Sequence, residues 1–398
     1  DWTCSAPSVR PERIWGRCVH ARLLGGPSHR LHQHVCAPHS AETGLRTNSS
    51  SAGVHQGSGL SAGRRQQHGC ARPGTTEQQL QPGNHKSFKA KVNHVCLIGK
   101  PGVVGLDNIG NSCYFNAVMQ CLCSTMPFVE DLLSQETRRE LAKYAAAHKP
   151  PLLSCSPVQV MSTLPSVFPQ FDSYTQQDAQ ELLLHLLDAL HEDLKKRYAN
   201  KIRSSKTEST IVSDLFEGQL SYLTSFLHCG HEARNSQTFT ILSLPIPNGA
   251  LLVCVSVQDC LSLFFEETVL TGAEQTYCSD CGLRREATVQ TYLNKPPEIL
   301  ILHLKRWVRT SSKNTIAVIL KFLLNSLNWI SVRSWSSYHL YAVVIHRGNL
   351  DMGHYTALCY NSVLETWHWF DDSLVKEVHG SVVQSPDAYV LFYSCDPF

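Results

Sequence analysis

The chain has 398 residues, 42% hydrophobic and 17% charged, enough to bury a large core and to exclude a peptide-sized or wholly disordered protein. Its net charge of +2 hides an asymmetry: the first 100 residues hold 13 Lys+Arg against 4 Asp+Glu, leaving 22 against 29 for the remainder. No run approaches the roughly 20 apolar residues that a membrane-spanning helix needs, so no membrane association is expected.

Residues 1–100 carry 5 of the 16 cysteines and 9 of the 20 histidines amid Gly, Ser, Gln and Pro, and show no lasting helical or strand periodicity. They read as a disordered basic tail ahead of a folded region over 101–398. With few aromatics interleaved among its basic residues, the tail is not expected to bind nucleic acid. Cys4, Cys18, Cys36, Cys70 and Cys96 lack the close pairing of a metal site. Cysteines diluted over a long chain, with no signal-like stretch ahead of them, point to a reducing intracellular setting, cytoplasm or nucleus.

From Gly102 the character changes. GVVGLDNIGNSCYFNAVMQCL is a Gly/Asn-rich loop that runs into helical spacing of Tyr114, Ala117, Val118, Cys121 and Leu122, with Cys113 at the helix start. A second helix is predicted at TQQDAQELLLHLLDALHEDL. There Thr175 and Asp178 form a capping-box-like start, and Leu182, Leu183, Leu186, Leu187, Leu190 and Leu194 share one face. The intervening segment is also read as largely helical. After about Asp214 the pattern turns to strands: QLSYLTSFL, QTFTILSLPI, ATVQTYL, EILILHLKRW, YHLYAVVIH, HYTALCY, TWHWF and AYVLFYS. Helices followed by strands predict an α+β architecture, a helical lobe facing a β lobe across a cleft.

A thiol at a helix N-terminus is activated as a nucleophile because the unpaired N–H groups and the dipole favour its anion. Cys113 has that place, with a buried structural thiol as the competing reading. His354 follows Gly353 at the mouth of a predicted strand, where an imidazole can serve as base or simply be a satisfied polar group. Asp371, 17 residues on, ends the next strand and could orient the imidazole, whereas Asp372 would face the other way in an extended chain. Asn108, in the loop before Cys113, could donate an amide N–H to an oxyanion or serve only as a turn former.

GLDNIGNSCYFNAVMQCL, YTQQDAQELLLHLLDAL, YCSDCGLRREATVQTYLNKPPEILILHLKRW and GHYTALCY…WFDDS, in that order, resemble the ubiquitin-specific protease family of cysteine deubiquitinases over about residues 102–395. The resemblance implies a papain-like core with a helical thumb, a β palm and β fingers, and cleavage after the C-terminal glycine of ubiquitin through a thioester. It implies Cys113 as nucleophile, His354 as base, Asp371 as its orienting partner and Asn108 as oxyanion donor. It also places Asp178 and Glu181 near the basic ubiquitin tail and Tyr355 near its terminal glycines. The implied partners are ubiquitin and ubiquitinated proteins, and the implied state is a monomer whose chemistry needs no cofactor.

Two stretches depart from the pattern. The family's fingers usually hold structural zinc by two C-x-x-C pairs; Cys278 and Cys281 form the second, but in the first only Cys229 is present and Phe226 takes its partner's place. His228 and His231 are the nearby alternatives, out of the usual spacing, so a zinc-free fingers region is the expectation. Residues 313–336 are apolar, with tryptophans, where the family has a basic, proline-marked strand. These departures keep open a rival reading, a catalytically inactive ubiquitin-binding or scaffolding relative.

Overall fold

Why the helix starting at Cys113 is central follows from its composition: every residue of α1 (Cys113–Cys123) is buried. Its neighbours on all sides must therefore be protein. The computed structural model describes residues 103–133, 154–171, 175–201, 209–247, 255–306, 320–321, 327–330, 335–349 and 352–396, which fall in one compact unit. The tail expected over 1–100 and most of 313–336 lie outside the described residues.

Chain order runs from helices to sheet. After α1 come α2 (Met126–Leu132), two single-turn helices, the long α3 (Ala179–Lys201) and α4 (Ile211–Phe216). The strands β1 (Gly218–Phe226), β2 (Glu232–Phe239), β3 (Ile241–Leu244), β4 (Thr268–Leu270), β5 (Ala287–Lys295), β6 (Ile299–Leu304), β7 (Trp335–Gly348), β8 (Gly353–Asn361), β9 (Thr366–Asp371), β10 (Leu374–Val378) and β11 (Ala388–Ser394) follow. The order β2-β1-β5-β4 makes a narrow four-stranded sheet, the fingers. The order β10-β9-β8-β7-β11-β6-β3 makes the wide sheet of the palm, joined at β7 by Leu327–Ile330. Pairing in both is antiparallel except β6 with β3, where Ile301 faces Ile241 in parallel register.

Continuous apolar runs mark the strands covered on both faces. All seven residues of β11 are buried, and in β6 only His303 is not fully so. One core joins α1, α3 and α4 to one face of the wide sheet, with Phe115, Val118, Leu183, Phe216, Ile301 and Val344 inside it. Phe128 of α2 meets Phe216 of α4 edge-on, ring centroids 5.1 Å apart; burying such side chains contributes about 1.5–3 kcal/mol each. A second core, with Leu302, Val343, Leu358 and Leu391, fills the opposite face.

The second helix begins later than the sequence suggests. It starts at Ala179, and Asp178 is its N-cap: Oδ1 accepts the Gln180 N–H at 2.7 Å and its carbonyl accepts the Leu182 N–H at 3.0 Å. Thr175 instead accepts from Gln177 Nε2 at 2.7 Å. A carboxylate next to the helix caps better than a threonine four residues ahead of it, because it meets the orphan N–H groups directly. Of the divergent 313–336 stretch, Leu320–Lys321 pairs in parallel with Val255–Ser256, and Leu327–Ile330 pairs with Trp335–Tyr338 of β7. Among the described residues no helix is long and apolar enough to cross a membrane.

Candidate active site

A buried helix carrying Asn116 and Gln120 must pair their amides, and those pairs fix the loop ahead of Cys113. Gln120 Nε2 donates to the Val104 carbonyl at 3.0 Å. Asn116 Nδ2 donates to Oδ1 of Asp372 at 2.8 Å and lies 3.3 Å from the carbonyls of Leu106 and Asp107. The loop then turns through Gly110 and Asn111, both at positive φ. Asn108 Oδ1 accepts the Gly110 N–H at 3.0 Å, and Ser112 Oγ accepts the Ile109 N–H at 3.1 Å. This delivers Cys113, 5% exposed, to the first position of α1, where the helix N–H groups are unpaired.

α1 packs against β8 and β9, and these strands bring the distant partners. β8 and β9 are antiparallel neighbours, with Ala357 opposite Phe370. Nε2 of His354 lies 2.6 Å from Oδ1 of Asp371. Cys113, more than any other group, favours the protonated ring and raises the His354 pKa to about 9, with Asp371 adding to it against the opposing effect of burial. At neutral pH the ring is therefore an imidazolium paired with a carboxylate. A thiol beside an imidazole that is steered by a carboxylate is the arrangement of nucleophilic thiol catalysis.

Asn108 lies in the loop before Cys113 as expected, but one N–H of its amide is committed to Oδ2 of Asp372 at 2.9 Å. The other carboxylate oxygen of Asp372 is the one held by Asn116, and the Asp372 carbonyl accepts the Leu106 N–H at 2.9 Å. Sequence reasoning set Asp372 aside because an extended chain would turn it away. The chain is not extended there: Asp372 has φ 51° and swings its carboxylate under the Asn108 loop. Alternation along a strand could not reveal this, because the strand ends at Asp371.

The remaining predicted positions are Asp178, Tyr355 and Glu181. Asp178 Oδ2 accepts the Tyr389 hydroxyl at 2.6 Å. Tyr355, 8% exposed, lies tilted against His346 with centroids 4.3 Å apart. Burial drives its pKa upward and that of His346 downward, so both are uncharged beside one acidic cap. Glu181 stays on the outer surface, 3.9 Å from Nε2 of His185. Gln176, which the sequence did not single out, accepts the Gly353 N–H at 2.8 Å and so ties the approach to α3 to the residue before His354.

Away from this site, at the tip of the fingers, Cys229, Cys278 and Cys281 place their Sγ atoms within 4.8 Å of one another. Cys229 and Cys278 are 3.6 Å apart. Phe226 packs beside Cys278 and Ala287 as a buried side chain. These residues fit a metal held by three thiolates and do not fit the four-cysteine arrangement.

The profile of the ubiquitin carboxyl-terminal hydrolase family matches residues 104–393. Ubiquitin carboxyl-terminal hydrolase 2 of Rattus norvegicus is 33% identical over 338 residues, covering 73% of this chain and 54% of that protein. The Gallus gallus protein of the same name is 34% identical over 334 residues, covering 73% and 93%. Ubiquitin carboxyl-terminal hydrolase 21 of Mus musculus is 31% identical over 360 residues, covering 76% and 63%. The chain thus spans about half the length of the rat relative. Among solved structures, the SAGA Ubp8/Sgf11/Sus1/Sgf73 DUB module bound to ubiquitin aldehyde is similar with a TM-score of 0.60 at 22% identity, covering 73% of this chain and 69% of that one; at that identity the likeness speaks to fold.

Proposed function

Because the chain belongs to the ubiquitin carboxyl-terminal hydrolase family, we propose that it is a thiol-dependent hydrolase cleaving the bond after the C-terminal glycine of ubiquitin, with Cys113 as nucleophile. The observation that carries this is the 2.6 Å pair of His354 and Asp371, whose imidazole is held protonated chiefly by Cys113 at the start of α1. Residues 101–398 form the catalytic domain in this reading, and 1–100 an appended basic tail. It acts as a monomer on ubiquitinated proteins in the cytoplasm or nucleus, without nucleic acid.

The Cys113 thiolate attacks the glycine carbonyl, and the oxyanion is met by the Cys113 backbone N–H and by the Asn108 N–H that Asp372 leaves unused. Asp372, by holding the first N–H, aims the second. His354 gives its proton to the departing lysine amine as the tetrahedral intermediate collapses to a thioester. The neutral imidazole, steered through Nε2 by Asp371, then takes a proton from water, whose oxygen attacks the thioester carbonyl and releases the ubiquitin carboxylate and the Cys113 thiolate. Asp178 and Glu181 supply negative charge for a basic ubiquitin tail, and the tight pair of Tyr355 and His346 suits residues without side chains.

Hydrolysis of a fluorogenic ubiquitin C-terminal amide by the full chain, beside Cys113→Ala, tests the reading. Turnover abolished by the substitution supports it. A folded wild-type protein that neither turns over nor is captured by a ubiquitin probe with an electrophilic C-terminus overturns it; binding of ubiquitin without capture would mark a non-catalytic relative.

A further inference from the structure

The whole sequence contains a single Gly-Gly pair, and it lies in the basic tail: Arg22, Leu23, Leu24, Gly25 and Gly26, followed by Pro27. A basic residue, two apolar residues and two glycines are the make-up of the peptide for which the active site is read. Positive charge meets Asp178 and Glu181, and residues without side chains pass Tyr355 and His346. The inference below rests on that hydrolase reading.

The acidic cap, the tyrosine and the nucleophile belong to one stretch of surface. After burial itself, Asp178 and then Cys113 hold the Tyr355 hydroxyl in its neutral form, so both groups act on the same ring. The wall beside it is fixed before a peptide arrives: Gly353 lies so close to His346 that a Cβ at that position would collide with Nε2. Along α3, Glu181, Asp188 and Glu192 are exposed and, seven and four residues apart, share one face of the helix. The tail offers the opposite charge, since between residues 10 and 22 Arg10, Arg13, Arg17 and Arg22 stand against Glu12 alone.

We propose that the active site binds residues 22–26 of its own chain, Arg22 at Asp178 and Glu181 and the two glycines beside Tyr355, so that the tail competes with ubiquitin. Pro27 makes this occupant a poor substrate. The nitrogen of the Gly26–Pro27 bond carries a ring carbon in place of hydrogen, and the ring fixes φ near −65°, which keeps the leaving nitrogen from the His354 proton. Residues 27–102 join the segment to the folded region. A linker of that length and Gly/Ser-rich make-up spans about 50 Å on average, more than the radius of about 19 Å expected for a domain of this size. It holds the segment at a local concentration on the order of 1 mM, so a weak peptide suffices to fill the site.

The test compares the full chain with Gly25→Val/Gly26→Val, which puts branched side chains where the site takes none. With the competitor disabled, KM for a fluorogenic ubiquitin amide should fall about threefold or more while kcat stays within about twofold. A fluorescent peptide of residues 17–27 should bind the Cys113→Ala/Gly25→Val/Gly26→Val chain with a dissociation constant below about 1 mM, read by anisotropy. Adding Asp178→Asn to that chain should weaken the peptide severalfold, and a peptide with both glycines changed to valine should not bind. These peptide arms need no turnover, so they separate failure of this inference from failure of the hydrolase reading. Absence of peptide binding, binding indifferent to the two valines, or a KM unchanged in Gly25→Val/Gly26→Val overturns the proposal. So does cleavage of the wild type after Gly26, seen as a shortened mass, because the segment would then be a substrate and not a standing competitor.

Discussion

Asn108 donates its side-chain amide to Oδ2 of Asp372 at 2.9 Å, across 264 positions of sequence. With Asn116 on Oδ1 at 2.8 Å, one carboxylate orders both the loop before Cys113 and the first turn of α1. A hydrogen bond to a charged group contributes about 1.5–3 kcal/mol, so Asp372→Ala should lower kcat roughly tenfold to a hundredfold if Asn108 must be aimed at the transition state. Ubiquitin binding by the Cys113→Ala and Cys113→Ala/Asp372→Ala proteins should agree within about twofold, since the loss is specific to the transition state. A kcat for Asp372→Ala close to wild type would show that Asn108 needs no such support.

The sequence exposes Cys113, His354 and Asp371 because each sits where a regular element begins or ends, and regular elements carry periodicity. Asp372 is hidden because its position depends on a single left-handed residue, φ 51°, for which an aspartate gives no signal. Strands such as β6 are legible as apolar runs sealed on both faces. Nearly all of β2 is not: from Glu232 to Thr238 it is largely exposed on both sides, so burial imposes no alternation, and only its pairing with β1, Ser225 opposite Glu232, makes it a strand. The start of α3 is hard to read for a related reason, since Thr175 and Asp178 are both capping residue types, and the cap falls to Asp178, whose carboxylate also accepts the distant Tyr389 hydroxyl.

The protonation of His354 gives the fold a pH dependence of known sign. Its pKa rises from 6.5 to about 9 in the folded protein, so the native state holds the proton more tightly than the unfolded chain. The stabilisation is fully present below pH about 6.5 and fades as pH climbs through about 9. With the ring 45% exposed, solvent screens the pair and the slope is shallow. The melting temperature of the wild type should fall relative to His354→Gln between these limits, followed by circular dichroism in buffers matched for ionic strength. A difference that stays constant, or grows with pH, contradicts the assignment.

Gln176 is the tie between the approach to α3 and the strand that carries His354, through the Gly353 N–H at 2.8 Å. Both groups are exposed, so the bond adds little to global stability, about 1 kcal/mol or less. Its effect belongs to the placement of the strand start. Gln176→Ala should reduce kcat/KM on a ubiquitin amide by roughly fivefold while shifting the melting temperature by no more than a degree or two. A melting temperature that drops sharply would instead make Gln176 a structural brace.

Asp178 serves two ends at once, and two substitutions separate them. As N-cap it satisfies the Gln180 N–H, and as acceptor it satisfies the Tyr389 hydroxyl. Asp178→Ala removes both, costing about 1 kcal/mol for the cap and about 1–3 kcal/mol for a buried hydroxyl left without its acceptor. Asp178→Asn can still cap through Oδ1 and keeps the helix start, but it loses the negative charge offered to a basic peptide tail. Denaturant unfolding should therefore rank stability as wild type, then Asn, then Ala. KM for a ubiquitin substrate should rise severalfold in both variants, with a salt dependence that is steep in the wild type and flattened in each substitution. Should Asp178→Asn keep both the wild-type KM and its salt response, the acidic cap acts only on the helix, and recognition of a basic tail falls to Glu181 on the next turn.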